Sequence, residues 1–222
     1  MNLTTEQIQQ IKTYLDFKEL NQLDLRNEVL DHMANGIEKS IKKEGLTFKE
    51  AFNQEIKKWN PELGEYSSFW TGWTWTGPKL MITKAVKETK KFYLKSFMAT
   101  VIISLIIHMM YISLIGIDYL SILNGFVGVV YIAILFLTFL FFWRIKASKY
   151  QSTYSYLYKI YAIGFAFMYL AFNPLLLDSS MILGKEEVYN LTLFLHSFLL
   201  SFAYTFWDLY KSHIDSKKLV LN

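Results

Sequence analysis

Four long stretches of the chain contain no charged residue and consist mainly of apolar side chains. They cover about 96–117, 120–143, 160–177 and 189–207. A helix needs ~20 predominantly apolar residues to cross ~30 Å of hydrocarbon, and each stretch approaches that length. The pattern therefore predicts four transmembrane helices.

The first sixty residues instead alternate apolar and charged positions with helical spacing. Thr4 with Gln7, and Thr47 with Glu50, have the form of capping boxes, which begin helices. Between them lies a longer amphipathic helix, predicted over 23–43. Its apolar face recurs at every fourth residue: Val29, Met33, Ile37 and Ile41. With helices near 5–16 and 48–59, this gives a three-helix domain over 1–60.

The predicted fold class is therefore all-α, with a small cytosolic three-helix domain followed by a four-helix transmembrane bundle within 79–222. A core drawn from about sixty residues is marginal. We expect this domain to be supported by a protein partner, by a second copy in a homo-oligomer or by the membrane surface.

An aromatic linker over 61–78 separates the two parts and contains Trp70, Trp73 and Trp75. Tryptophan prefers the headgroup layer, so we expect this linker to lie on the lipid bilayer. A basic stretch over 79–91 follows. It fits an interfacial helix with Met81 and Ala85 toward lipid, or equally a plain connector helix that runs into the first span. On the interfacial alternative three lysines face the headgroups: Lys84, Lys87 and Lys91.

The distribution of lysine and arginine predicts the topology. Basic residues are concentrated before the first span, between the second and third, and after the fourth, whereas the other two connections contain only Lys185. Basic residues near span ends stay on the cytoplasmic side. We therefore predict an inner-membrane protein with both termini in the cytoplasm and outer connections around Asp118 and 178–187. The first residues have no signal-peptide pattern.

Charge and composition also limit the function. Residues 1–60 contain nine basic and ten acidic side chains, so the net charge of +4 arises in the membrane part and does not indicate nucleic-acid binding. The chain has no cysteine, which excludes disulfides, thiol catalysis and thiolate metal sites. No nucleotide, metal or catalytic motif is present, so we predict that the protein is not an enzyme and requires no cofactor.

The run from Leu25 to His32, followed by Ile37, Glu38 and the stretch 48–52, carries a family resemblance. It resembles the N-terminal module of uncharacterised bacterial multi-pass membrane proteins and is distantly similar to the HAAS-type helical domain. That domain precedes membrane segments in proteins linked to transcriptional regulators. The resemblance implies a regulatory or scaffolding role and transfers no catalytic residue.

The long amphipathic helix carries four residues that could bind a partner: Glu28, Asp31, His32 and Glu38. Glu28 and His32 are four positions apart, with Asp31 beside them, so their side chains share one face. A metal site would need further ligands from another helix, and the sequence offers none. A surface or interhelical hydrogen-bond network, or a face for a cytosolic protein partner, is therefore the preferred interpretation.

Polar groups inside the spans are the remaining candidates. Counting ~1.5 Å per residue puts His108 about 13 Å and His196 about 10 Å from the outer ends of their spans, where they could ligate haem together. The simpler interpretation is two neutral histidines bonded to Ser, Thr or Tyr groups. Likewise, Asn173 with Pro174 either lines a transporter cavity or ends a helix near the interface.

The leading prediction from the sequence is a multi-pass membrane protein whose cytosolic module binds a protein partner. The alternative is a small transporter or redox-cofactor carrier organised around His108, Asn173 and His196.

Overall fold

The computed structural model describes residues 3–72, 74–113, 119–176 and 186–221, and these are mostly helical. The α-helices are α1 (Thr5–Phe17), α2 (Leu23–Glu44), α3 (Phe48–Trp59), α4 (Lys79–Ser113), α5 (Tyr119–Ala147), α6 (Thr153–Ala171) and α7 (Glu186–Leu221). The chain forms two compact units. Unit 1 contains residues up to Thr89, Tyr150–Leu157 and the chain from Ser212; unit 2 contains Lys90–Lys149 and Tyr158–Lys211.

The three helices expected in the first sixty residues are present, and local signals explain their ends. Both predicted capping boxes form: the Gln7 N–H donates to the Thr4 hydroxyl at 3.3 Å, and the Glu50 N–H donates to the Thr47 hydroxyl at 3.4 Å. The α2 helix ends at Glu44 and is followed by Gly45, whose φ of 67° is left-handed and suits glycine.

The core of unit 1 continues past the predicted domain boundary at residue 60. Apolar side chains of α1, α2 and α3 are joined by Leu63, Met81 and Ile82, which are almost fully buried. Met81 and Ala85, expected to face lipid on the interfacial interpretation, are 3% and 0% exposed. Met81 belongs to the core cluster of unit 1 and extends a three-helix core that is small by itself. The plain connector alternative is supported, because α4 runs without interruption from Lys79.

The predicted aromatic linker contains a short β-hairpin, so unit 1 is not purely helical. Strand β1 (Glu65–Ser67) pairs antiparallel with β2 (Thr76–Pro78), with a 3₁₀ turn at Phe69–Thr71 between them. Gly72 follows that turn with a φ of 85°, a left-handed conformation that favours glycine. The hairpin is anchored where the Lys79 N–H donates to the Gly64 carbonyl at 2.9 Å.

Two helices among the described residues are long and apolar enough to cross a membrane, over Lys79–Met110 and Ile122–Ala147. Only 17% and 28% of their most apolar windows are buried, whereas a core helix of a soluble protein would be mostly buried. The predicted outer connections at Asp118 and 178–185 lie outside the described residues.

Candidate functional site

A carboxylate at the start of α2 joins three segments of unit 1. Asp24 Oδ2 lies 3.1 Å from Lys84 Nζ in α4, and these side chains are 10% and 30% exposed. The Asp24 carboxylate also accepts hydrogen bonds from the Thr153 backbone N–H at 3.1 Å and the Thr153 hydroxyl at 3.0 Å. Thr153 is the first residue of α6, so Asp24 satisfies a free N–H group at a helix N-terminus. Beside it, the Leu23 N–H donates to the Gln151 carbonyl at 2.9 Å.

A second set of hydrogen bonds continues from Thr153. The Ser152 N–H donates to the Ser155 hydroxyl at 2.9 Å, and the Ser155 N–H donates to the Ser152 hydroxyl at 3.1 Å, a reciprocal cap of α6. Ser152 Oγ also lies 2.8 Å from Nδ1 of His213 in α7. The His213 ring is 5.3 Å from the Tyr150 ring. We call Asp24, Lys84, Ser152, Thr153 and His213 together the Asp24 junction.

The Asp24 junction is not arranged for nucleophilic catalysis. Ser152 and His213 are both 0% exposed, so the serine hydroxyl is closed to a substrate. The Asp24 carboxylate bonds to Thr153 and Lys84, which is the geometry of a helix cap and an ion pair. The hydrogen bonds and the ion pair of the Asp24 junction therefore hold α2, α4, α6 and the end of α7 together.

Two tyrosines next to the Asp24 junction are held in the neutral form. Burial raises the pKa of Tyr156 to about 12, against a smaller lowering by the Thr71 hydroxyl. Burial also raises the pKa of Tyr150; the Ser216 hydroxyl opposes this shift and the Asp24 charge adds to it. Both phenols are therefore protonated at neutral pH and can act as hydrogen-bond donors.

The predicted partner face on α2 is accessible. Glu28, Asp31 and His32 are exposed, and the His32 ring lies 6.4 Å from the Trp59 ring of α3 with a tilt of 35°. The fourth candidate differs, because Glu38 is half-buried and accepts a hydrogen bond from the backbone N–H of Leu3 at 3.2 Å.

One helical turn after His32, α2 and α3 approach closely at Gly36. A Cβ atom at Gly36 would lie 2.4 Å from Glu55 Oε1. Glu55 is itself buried and accepts a hydrogen bond from Trp59 Nε1 at 3.0 Å, while Lys58 Nζ lies 3.2 Å from Oε1. The predicted partner face therefore lies next to a close contact between α2 and α3.

The residues expected at the membrane interface differ in their contacts. Lys84 belongs to the Asp24 junction, and Trp75 packs edge-on against Tyr156 with ring centroids 6.1 Å apart. Trp70 and Trp75 are nonetheless 43% and 42% exposed, and Lys87 and Lys91 are also exposed. Trp73 lies outside the described residues.

The two histidines predicted inside the spans have different surroundings in unit 2. His196 is 4% exposed, and its Nδ1 lies 2.7 Å from the hydroxyl of Tyr131. His108 lines a cavity of about 220 Å³ with Ser104 and Leu193, and His196 does not line it. Ligand cavities usually measure ~300–1,000 Å³. His196 thus has the tyrosine partner that the simpler interpretation expects. The haem interpretation needs only two ligands and stays a prediction.

The interior of unit 2 is otherwise joined by small polar side chains. Ser96 Oγ lies 2.8 Å from Thr205 Oγ1, and one turn further along each helix Thr100 Oγ1 lies 3.1 Å from Ser201 Oγ. Asn173, which is fully buried, donates to the Gly128 carbonyl at 3.4 Å just after α6 ends. These contacts favour helix packing and helix ending over a substrate cavity.

No protein-family model, curated protein or solved structure matches this chain, so the resemblance to the HAAS-type domain stays a prediction.

Proposed function

We propose that this chain is a multi-pass protein of the cytoplasmic membrane with four spans and both termini in the cytoplasm. We further propose that unit 1 binds a protein partner there, in a regulatory or scaffolding role. No enzymatic step is assigned to it.

The distribution of side chains in unit 2 carries the membrane part of this proposal. Several of its serine and threonine side chains are turned inward, and Ser96, Thr100, Thr138 and Thr205 are at most 5% exposed. Large apolar side chains are turned outward, among them Leu105, Phe126, Phe136, Phe139 and Phe167 at 58–72% exposed. A soluble protein rarely exposes such an apolar surface. Lipid is a solvent that makes this arrangement favourable, because internal polar groups then hydrogen-bond to one another.

The three chain segments that form unit 1 support the proposed topology. The lysine and arginine pattern assigns three parts of the chain to the same side: the segment before the first span, the connection between the second and third, and the tail. Unit 1 is built from residues up to Thr89, from Tyr150–Leu157 and from the chain after Ser212. Segments on opposite sides of a bilayer could not share one core.

The accessible face of α2 supports the binding part. Glu28 and Asp31 provide exposed carboxylates, and the exposed His32 ring lies 6.4 Å from the Trp59 ring. A cytosolic protein with a basic surface would complement this face.

Affinity capture from the membrane tests the binding function. Reporter fusions test the topology. The double variant Asp31→Ala with His32→Ala should fold and reach the membrane normally yet recover less partner, because these side chains are exposed. Lys42→Ala with Lys43→Ala, exposed on the same helix, is the matched control. Unchanged recovery with the first variant would refute the assigned face, and a cytoplasmic reporter signal at Lys185 would refute the four-span topology.

A further inference from the structure

Unit 1 has an open apolar groove between α1 and α3 that its own side chains leave unfilled. The groove has a volume of about 800 Å³, and Tyr14 contacts Phe52 in it with ring centroids 6.2 Å apart. Phe17 lines one end of the groove and is 79% exposed. A phenylalanine this exposed, next to an open apolar groove, is typical of an interaction surface.

Charges of opposite sign lie at the two ends of the groove, Glu6 within its lining and Lys18 beside it. Glu6 lines the groove in the first turn of α1, and Lys18 follows the last turn with its Nζ 5.8 Å from the Phe17 ring centroid. The two charges are separated by roughly 18 Å at ~1.5 Å per residue. If two α1 helices pair antiparallel about a two-fold axis, Glu6 of each copy faces Lys18 of the other, and each Phe17 lies over the other groove.

We infer that the α1–α3 groove binds a second copy of this chain, with α1 paired antiparallel to α1 in a two-fold symmetric dimer. Such an interface is isologous: both copies use the same surface, so the contact between Glu6 of one copy and Lys18 of the other occurs twice. The inference is independent of the partner face on α2, because it uses a different set of side chains.

The groove is better suited to a second copy than to an anionic bilayer. The described residues that line it include the acidic Glu6 but no lysine or arginine, so a bilayer surface would gain no electrostatic attraction from the lining. The opposite charges at the two ends of α1 match an antiparallel copy of the same helix, whereas a parallel copy would bring like charges together.

Cysteine crosslinking of the full-length protein in detergent tests the pairing directly. The chain contains no cysteine, so an introduced thiol has no background. Thr13 is exposed, lines the groove and lies close to the midpoint of the proposed pair. Thr13→Cys should give a disulfide-linked dimer on mild oxidation, whereas Lys39→Cys, an exposed position on α2, should remain monomeric.

The dissociation constant of the dimer tests the contacts. Phe17→Ser should raise it at least tenfold, since the aromatic side chain that enters the groove of the other copy is removed while the exposed position leaves folding intact. Glu6→Lys and Lys18→Glu should each weaken the dimer at low salt. Combined in one chain they should restore it, because both interchain ion pairs then re-form with their signs exchanged.

A full-length protein that stays monomeric at micromolar concentration would overturn the inference. So would a dimer that crosslinks as readily through Lys39→Cys as through Thr13→Cys. A double charge exchange that fails to recover affinity, while circular dichroism shows normal helicity, would likewise exclude the antiparallel pairing.

Discussion

Asp24→Ala should destabilise unit 1 at the point where its segments meet. The substitution removes a helix cap, for which losses of ~1 kcal/mol are typical. It also leaves Lys84, which is 30% exposed, without the carboxylate 3.1 Å away. A fully buried unpaired charge costs ~3–5 kcal/mol and a surface pair at most ~1 kcal/mol, so a partly exposed lysine falls between these limits. We expect a total loss of roughly 2–3 kcal/mol in the free energy of local opening.

Hydrogen exchange of the full-length protein in detergent measures this loss at two amides. The Thr153 N–H donates to Asp24, and the Leu23 N–H donates to the Gln151 carbonyl. Because each 1.4 kcal/mol is a factor of ten, both amides should exchange roughly 30-fold faster or more in the variant, provided that exchange follows the opening equilibrium.

One further variant separates the effect of the charge from that of the helix cap, and a second serves as a control. Asp24→Asn keeps an oxygen that can accept from Thr153 but loses the ion pair, so its effect should be intermediate. Asp31→Ala is the matched control on the same helix, because Asp31 is exposed and such changes cost ~0.5 kcal/mol at most. If Asp24→Ala leaves the exchange of the Thr153 amide at the control rate, the Asp24 junction does not stabilise unit 1 and the reasoning is wrong.

Three other predictions follow from close contacts and burial. Gly36→Ala should lower thermal stability by about 1–2 kcal/mol, since the new methyl group would meet the buried Glu55 carboxylate. Gly128→Ala should destabilise unit 2 similarly in thermal melts in detergent, because its Cβ would lie 2.4 Å from Leu175 Cγ. For Tyr156, the folded pKa of about 12 exceeds the ordinary value of 10, so its contribution to stability is complete below pH 10 and is lost toward pH 12. Tyr156→Phe should therefore flatten the decline of the melting temperature over that pH range, and an unchanged slope would contradict the assigned burial.

Features that depend on neighbouring residues could be predicted from the sequence. The caps at Thr4 and Thr47 each need a partner three residues later, and the stop at Gly45 needs one residue that tolerates a left-handed conformation. The long apolar helices follow from composition alone. These signals are local, so the helix bounds in unit 1 agree with the sequence to within a residue or two.

The Asp24 junction could not be predicted in this way. Asp24 is 60 positions from Lys84 and 129 from Thr153, and no periodic pattern links such distant residues. The hairpin was missed for a different reason, because its strands have only three residues each and the tryptophans between them also suit a membrane interface. The hydrogen bond between Tyr131 and His196 depends on how two helices are rotated, which composition does not determine.

Unit 1 is formed by three segments that are far apart in the sequence, and this has a consequence for biosynthesis. Its N-terminal helices leave the ribosome first, but His213 is translated more than a hundred residues after Thr89. At ~5–20 residues per second the early helices wait on the order of ten seconds for their last segment. Lys90–Lys149 and Tyr158–Lys211 are synthesised during that interval. Unit 1 can therefore be completed only after the whole intervening chain has been made, and a truncated chain would lack the Ser152–His213 contact that joins the end of α7 to unit 1.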